Sequence, residues 1–186
     1  MTNKIYISCI FFMMLSFTVT AQFEFNWGAG IGIHQIGDKY SPGLVVAPRI
    51  NIFDLTDEAS ISIGTQASLM YFSLAEGSLD LPETRFGFEV PLMAMVNIGR
   101  DANTYAIEQM GFVVGVGYNF GQLTLSGDGY EDVLTTDGVT VMGGIRFSAF
   151  NNRTIGINVS QTFGRGTNKN SLNSLSVRAL YYFGEQ

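Results

Sequence analysis

Cysteine and histidine are almost absent from this sequence: its 186 residues include one of each, Cys9 and His34. Cys9 lies in an N-terminal segment that we expect to be removed, so the remaining chain can form no disulfide and carries no thiol. A zinc site of cysteine and histidine is also excluded, because one histidine would leave only carboxylates as further ligands. We therefore predict no metal and no cofactor.

Charged residues are scarce as well. They make up 14 % of the chain, against about 25 % in an average soluble domain, whose surface must face water. The shortage indicates that much of the molecular surface does not face water. The net charge of −6 and the lack of any cluster of lysines and arginines exclude nucleic acid as a partner, because phosphates require a basic patch.

The one long apolar stretch lies at the N-terminus and has the features of a signal peptide. Lys4 precedes the apolar residues 5–17, and Val19 and Ala21 occupy the −3 and −1 positions of a small-residue cleavage site. The stretch is shorter than the roughly 20 apolar residues of a membrane-spanning helix, which disfavours the alternative of an uncleaved anchor. We expect residues 1–21 to be removed and residues 22–186 to form one domain.

In the rest of the chain, apolar and polar residues alternate with a period of two. Ala29, Ile31 and Ile33, for example, alternate with Gly30 and Gly32, which places each set on its own face of a strand. Eight segments show this pattern, each close to the roughly 9–11 residues of a tilted membrane strand. The sequence therefore predicts an all-β fold, an eight-stranded antiparallel transmembrane up-and-down β-barrel, with strands at 23–34, 44–52, 61–71, 86–98, 112–120, 139–149, 155–163 and 175–183.

The connections between these segments alternate in length. Those after the second, fourth and sixth segments are short, and most others are longer, as in outer-membrane barrels with periplasmic turns and longer outer loops. An even number of strands then places both termini in the periplasm. The start of the fifth strand stays open between a bulge near Gly111 and a longer turn, because residues 105–109 are out of phase with the strand pattern that begins at Phe112. The short connections are 54–59, 99–104 and 151–154, and the long ones are 36–42, 73–84, 121–138 and 164–171.

Alternation alone does not decide which face points inward. A water-soluble carrier barrel would have an outer face rich in lysine and glutamate, whereas the less apolar face here is mainly Gly, Ser, Asn, Thr and Met. Such a face suits a crowded interior, so we expect the apolar face to contact lipid. Aromatic residues near the strand ends favour the same interpretation, because such rings are enriched at membrane interfaces. The predicted aromatic belts comprise Phe23, Phe25, Tyr71, Phe86, Phe88, Tyr118, Phe120, Phe147, Phe163, Tyr181 and Phe183.

Several charged residues fall on the face predicted to be inside. An isolated buried charge is very costly, so we expect these residues to pair with one another. An eight-stranded barrel is just wide enough to be filled by side chains. We therefore interpret these residues as a polar network that closes the lumen, and the alternative is a gated conduit for ions. The network comprises Glu24, Arg49, Glu89, Arg146 and Arg178.

His34 also faces inward, at the outer end of the first predicted strand. A lipid-trimming barrel enzyme would need a serine and a carboxylate next to this histidine. The sequence shows no His-x-Ser arrangement, and Ser68 or Glu89 would have to reach His34 through the fold. We therefore predict that the protein is not an enzyme.

The longest predicted outer loop is acidic. Its carboxylates do not have the spacing of a calcium-binding loop, and they are expected to be solvated. Leu123 and Leu125 lie one residue out of phase with Phe120, which we interpret as a bulge at Gly121. Strands five and six would then continue beyond the membrane as a hairpin, whose edge offers a site for a partner protein. The candidate partner residues are Asp128, Tyr130, Glu131 and Asp132.

The last predicted strand alternates from Leu175 to Phe183 and ends on an aromatic residue, three positions before the end of the sequence. This resembles the C-terminal signal that the outer-membrane assembly machinery reads. With the signal peptide, the eight strands and the glycine-rich inner face, the whole mature chain resembles the PorT-type outer-membrane barrels, within the wider OmpA/OmpX-like class. The PorT resemblance implies an accessory barrel of a type 9 secretion or surface-assembly complex.

The sequence thus predicts a non-enzymatic integral protein of the bacterial outer membrane, in contact with membrane lipid. Its role would be structural or would lie in binding an envelope protein complex through the outer loops. Three alternatives stay open: the accessory subunit of a secretion complex, a lipid-modifying enzyme and a narrow pore.

Overall fold

The alternating pattern produces strands along almost the whole of the described chain. The computed structural model describes residues 24–37, 39–74, 83–103, 106–127, 130–149, 153–164 and 172–183. The expected signal peptide and Phe23 lie outside these ranges. Among the described residues, no helix is long and apolar enough to cross a membrane.

The described residues form twelve strand segments, which make up eight consecutive antiparallel strands. The first, second, third and sixth strands are each interrupted once, and the others are continuous. In chain order the strands are Glu24–Asn26 with Gly28–Ile36, Lys39–Val46 with Arg49–Thr56, Ala59–Thr65 with Ala67–Leu74, Glu83–Gly99, Met110–Gly127, Tyr130–Thr135 with Gly138–Ser148, Thr154–Gly164, and Ser174–Tyr182.

The sheet closes on itself because the eighth strand pairs with the first. Their register runs from Ser174 opposite Ile36 to Tyr182 opposite Gly28, and every other strand pairs with the strands before and after it. We call the end of the barrel with the turns after strands two, four and six the lower end, and the opposite end the upper end. This closed eight-stranded barrel is the predicted fold.

Two prolines explain interruptions in the second and third strands. Proline has no backbone N–H to donate to a ladder. Pro48 therefore gives no hydrogen bond to the third strand, although its carbonyl accepts one from Thr65. Pro91 lies in the fourth strand beside the break at Gln66. The register continues across both breaks, so the barrel wall stays closed.

The two faces of the wall differ as the alternation predicts. Outward apolar side chains are exposed over much of their surface, 67 % for Leu44 and 65 % for Ile31. Inward positions are buried and carry mostly Gly, Ser, Asn, Thr and Met with the charged residues. The apolar face therefore points out and the polar face points in.

The connections differ from those predicted. At the upper end Ile36 pairs directly with Lys39, so the second strand begins at Lys39 and the first hairpin is tight, with Gly37 at a φ of 60°. At the lower end the fourth strand ends at Gly99 and the fifth begins at Met110. The open question at the start of strand five is thus answered by a longer turn.

The predicted bulge at Gly121 is wrong. The register between the fourth and fifth strands is continuous from Gly99 opposite Gly111 to Thr84 opposite Ser126. Beyond Gly121 the polarity of the two faces inverts: Leu123 and Leu125 point inward and pack with Ile36 and Met70, with Leu134 and Leu172 beside them. A strand that leaves an apolar solvent and enters water is expected to exchange its two patterns in this way.

This inversion gives a testable difference between two leucines. Leu123 is 0 % exposed and Leu92, on the outward face, is 60 % exposed. Leu123→Ala should lower the free energy of unfolding by about 3 kcal/mol, because it leaves a cavity in the upper apolar cluster. Leu92→Ala serves as the matched control and should lower the free energy of unfolding clearly less. Urea unfolding of the protein folded in lipid vesicles measures both, and equal losses would contradict the inward orientation of Leu123.

Candidate functional site in the barrel lumen

The turn after the fourth strand folds back into the lower end of the lumen. Gly99 has a φ of 70° and Asp101 a φ of 60°, two left-handed conformations close together, which glycine adopts freely and aspartate more readily than most residues. Arg100, Asp101, Ala102 and Asn103 are all buried as a result. The sequence predicts a short connection at 99–104, with a bulge or a longer turn left open before strand five, and gives no sign that the segment folds inward to form the lower plug of the barrel.

The carboxylate of Asp101 lies between two arginines of the barrel wall. Its Oδ2 is 3.1 Å from Nη2 of Arg49 and 3.5 Å from Nη1 of Arg146. The backbone carbonyl of Asp101 also accepts hydrogen bonds from Arg49 at 2.7 Å and from Arg146 at 3.1 Å. One residue therefore supplies charge and acceptors to two buried guanidinium groups.

Side chains around this lower cluster add further contacts to the two arginines and to the turn. Oδ1 of Asn97 accepts from Arg49 at 3.1 Å and from Arg146 at 2.9 Å. The centroid of the Tyr182 ring lies 5.1 Å from the Arg146 guanidinium carbon, a cation–π contact. Ser60 and Asn51 both donate to the carbonyl of Ala102, which ties the turn to the wall.

A second cluster in the upper half of the lumen surrounds Glu89. Its Oε2 accepts a hydrogen bond from Arg178 at 3.2 Å and lies 2.9 Å from Nδ1 of His34. Ser174 donates to Oε1 at 2.8 Å, and Ser176 donates to Oε2 at 3.1 Å. Charge-assisted bonds of this kind offset the cost of burying a carboxylate.

His34, Ser176 and Glu89 therefore meet, but not in the arrangement of a nucleophilic relay. A relay needs the hydroxyl on one ring nitrogen of the histidine and the carboxylate on the other. Here Nδ1 of His34 lies 2.9 Å from both Ser176 Oγ and Glu89 Oε2, and Nε2 has no hydrogen-bond partner among the described side chains. His34 is also fully buried. The geometry is that of a buried cluster of hydrogen bonds around the carboxylate of Glu89.

The structure divides the predicted lumen network between the two clusters. Arg49 and Arg146 belong to the lower cluster, and Glu89 and Arg178 to the upper one. Glu24 lies at the lower rim, where it accepts a hydrogen bond from Asn51 at 3.1 Å. Asp101 is absent from the predicted network because the sequence pattern there indicates a turn and gives no sign that the turn re-enters the barrel.

Most of the predicted belt residues lie on the outer surface. Phe25, Tyr181 and Phe183 are exposed at the lower end, where Trp27 stacks on Phe183 at 4.3 Å between ring centroids. Phe147, also at this end, is half-buried. Near the upper end Tyr71, Phe86, Phe88, Phe120 and Phe163 are exposed, and Tyr118 is half-buried against Phe120.

The predicted partner residues begin the upper segment of the sixth strand. Tyr130 pairs with Gly127 and Asp132 with Leu125, so the acidic stretch is a strand of the hairpin. The side chains of Glu131 and Asp132 are exposed, and Asp128 lies outside the described residues. Within the described residues, no three side chains of His, Asp or Glu meet as a candidate metal site.

The geometry of the lower cluster predicts that stability depends on the negative charge of Asp101. Asp101→Asn keeps a residue that tolerates the left-handed backbone and keeps the carbonyl that both arginines use, but it removes the shared negative charge. Because two buried arginines then lose their counter-ion, we expect the free energy of unfolding to fall by about 3 kcal/mol. Asp57→Asn, at an exposed turn of the same end, is the control and should change stability little. Thermal unfolding in detergent measures both, and an equal effect at the two sites would contradict the role of Asp101.

Comparisons with known proteins bear on the fold. No family model and no curated protein matches the chain. Among solved structures, the attachment invasion locus protein Ail of Yersinia pestis aligns with a TM-score of 0.54 at 14 % identity, covering 87 % of this chain and 99 % of Ail. The N-terminal β-barrel domain of Pseudomonas aeruginosa OprF aligns with a TM-score of 0.50 at 10 % identity, covering 87 % of this chain and all of that domain. The chain has the fold of small eight-stranded outer-membrane barrels, and these similarities do not support the PorT-type family in particular.

Proposed function

We propose that this chain is a non-enzymatic integral protein of the outer membrane, with a closed lumen, that binds a partner in the envelope through its upper hairpin. The proposal is carried by one observation, the inversion of polarity at Gly121, which marks where the wall leaves lipid and where a surface for partners begins. Three properties of the barrel support it.

The outer wall fits a membrane. The eighth strand has 9 residues, which at about 3.3 Å per residue and a tilt of about 40° gives a height of about 23 Å. This matches the roughly 25 Å apolar band of outer-membrane barrels. Exposed aromatic residues lie near both ends of the wall, as interfacial belts would. The first described strand begins and the last one ends at the lower end, which we assign to the periplasm.

The lumen fits a plug better than a pore. Arg49, Arg146 and Asp101 fill its lower half, and Arg178 and Glu89 fill its upper half. All five side chains are buried and are joined by short contacts. A conduit for ions would instead need charged groups that remain hydrated along the path.

The upper hairpin extends well beyond the apolar band. The fifth strand has 18 residues, so at the same rise and tilt it is about 45 Å tall, about 20 Å more than the band. Its upper part pairs with Tyr130–Thr135. On the other side of that segment the carbonyl of Thr135 accepts a hydrogen bond from Leu172 at 2.9 Å, and above this point the segment has no strand partner within the described residues. A strand edge of this kind can accept an extended segment of another protein.

The acidic side chains beside this edge indicate the chemistry of the partner. Glu131 and Asp132 are exposed next to one another at the start of the edge. A partner segment with lysine or arginine would be favoured there, since opposite charges across an interface steer association. A subunit of a type 9 secretion complex is one such partner, and its recovery in the experiment below would establish that more specific role.

Charge reversal at the edge tests the proposal. The variant Glu131→Lys/Asp132→Lys should fold as the wild type does and should lose its partner in pull-downs from intact envelopes. The control Asp57→Lys/Glu58→Lys reverses two adjacent exposed acids at the lower end and should retain the partner. If the wild type co-purifies with no stable partner, or if both variants retain it equally, the proposed role of the hairpin is wrong.

A further inference from the structure

At its upper end the wall of the barrel is not held by backbone pairing between every two neighbouring strands. The ladder between the second and third strands stops at Gly43 opposite Met70. The first and second strands, however, pair up to Ile36 opposite Lys39, and the third and fourth up to Leu74 opposite Glu83. The upper part of strand two therefore separates from strand three and leaves a notch in the wall beside Tyr71.

Some backbone groups that face this notch form hydrogen bonds with side chains. Ala47 exchanges both of its backbone hydrogen bonds with Gly28 of the first strand. Successive residues of a strand point their backbone groups to opposite sides, so the odd-numbered residues of the second strand face the first strand. The backbone groups of the even-numbered Tyr40 and Pro42 therefore face the third strand. Pro42 has no N–H to satisfy. The carbonyl of Tyr40 accepts a hydrogen bond from Arg85 at 2.6 Å, and the carbonyl of Pro42 accepts one from Ser41 at 3.4 Å. Such a notch can face hydrocarbon at lower cost than an open ladder.

Below the notch the outer surface forms an apolar groove of about 800 Å³ that crosses strands seven, eight, one, two and three. Its volume lies in the range of about 300–1,000 Å³ that is typical of small-molecule sites. Ala179 lines the groove on the eighth strand, paired with Ile31 on one side and Ile157 on the other. Because the alanine is short and its neighbours are long, the surface is concave there. The walls include Ile31, Ile33, Leu44, Leu69 and Tyr71.

From this shape we propose that the groove is a binding site for one hydrocarbon chain of a membrane lipid. The proposal rests on the proposed membrane location, because the groove is continuous with the wall that would face lipid. Its upper end reaches Tyr71, at the level of the upper aromatic residues, which is where the chain of a lipid would begin. The hydrophobic effect adds little in a membrane, so the chain is held by van der Waals contact with the concave surface.

Filling the groove tests the proposal. Ala179→Phe places a ring in the floor of the groove. Ala94→Phe is the matched control, because Ala94 faces outward in the fourth strand between Ile63 and Val116 and does not line the groove. The full chain and both variants are reconstituted in bilayers of dimyristoylphosphatidylcholine that contain a trace of the same lipid, spin-labelled near the end of one chain. The motionally restricted part of the electron spin resonance spectrum is then compared at equal protein content.

We expect Ala179→Phe to reduce the restricted component by about one lipid per protein relative to the control, because the contacts of the held chain are lost. Equal spectra for the two variants would overturn the proposal. A cross-linked dimer of the wild type that Ala179→Phe abolishes would also overturn it, since the groove would then hold a second copy of the chain. A chain that does not insert into the vesicles, as shown by complete protease digestion, would instead refute the membrane location itself.

Discussion

Two buried carboxylates, Glu89 and Asp101, determine how the interior of this barrel is organised. A guanidinium group in a dry lumen is very costly without a counter-charge, and the wall points Arg49, Arg146 and Arg178 inward. The carboxylate of Asp101 pairs with Arg49 and Arg146. The carboxylate of Glu89 pairs with Arg178 and also contacts His34. The glycines of the inner face leave the space that these long side chains occupy. The closed wall and the filled lumen thus depend on each other.

The wall was predictable from the sequence because a period of two is a local property. In every strand, as in the fourth, the residues on either side of a position indicate which face of the sheet that position occupies. The eight strands, their order and the inward position of the arginines therefore follow from the pattern. The assumption of one constant phase failed at Gly121. The change from lipid to water that we propose at this level explains why the same strand exchanges its two patterns without any bulge.

The pairings across the lumen were not predictable in the same way. His34 and Glu89 are 55 positions apart and meet only because a closed barrel brings strands one and four to face each other. The role of Asp101 was even less evident from the sequence, since it depends on a left-handed backbone at a non-glycine residue and on a turn that folds inward. Local periodicity contains neither fact. The site could be predicted as a set of inward charges but not as two clusters with assigned partners.

The chemistry that remains accessible lies on the outer surface. The two lumen clusters are buried, and the contacts that we propose with other molecules involve the protruding hairpin and the apolar groove. Electrical recording in planar bilayers tests the central claim, a closed lumen, most directly. The wild type should show no steady open channels, whereas Arg49→Ser/Arg146→Ser/Arg178→Ser, which removes the guanidinium groups of both clusters, should conduct. Steady channels from the wild type would contradict the account.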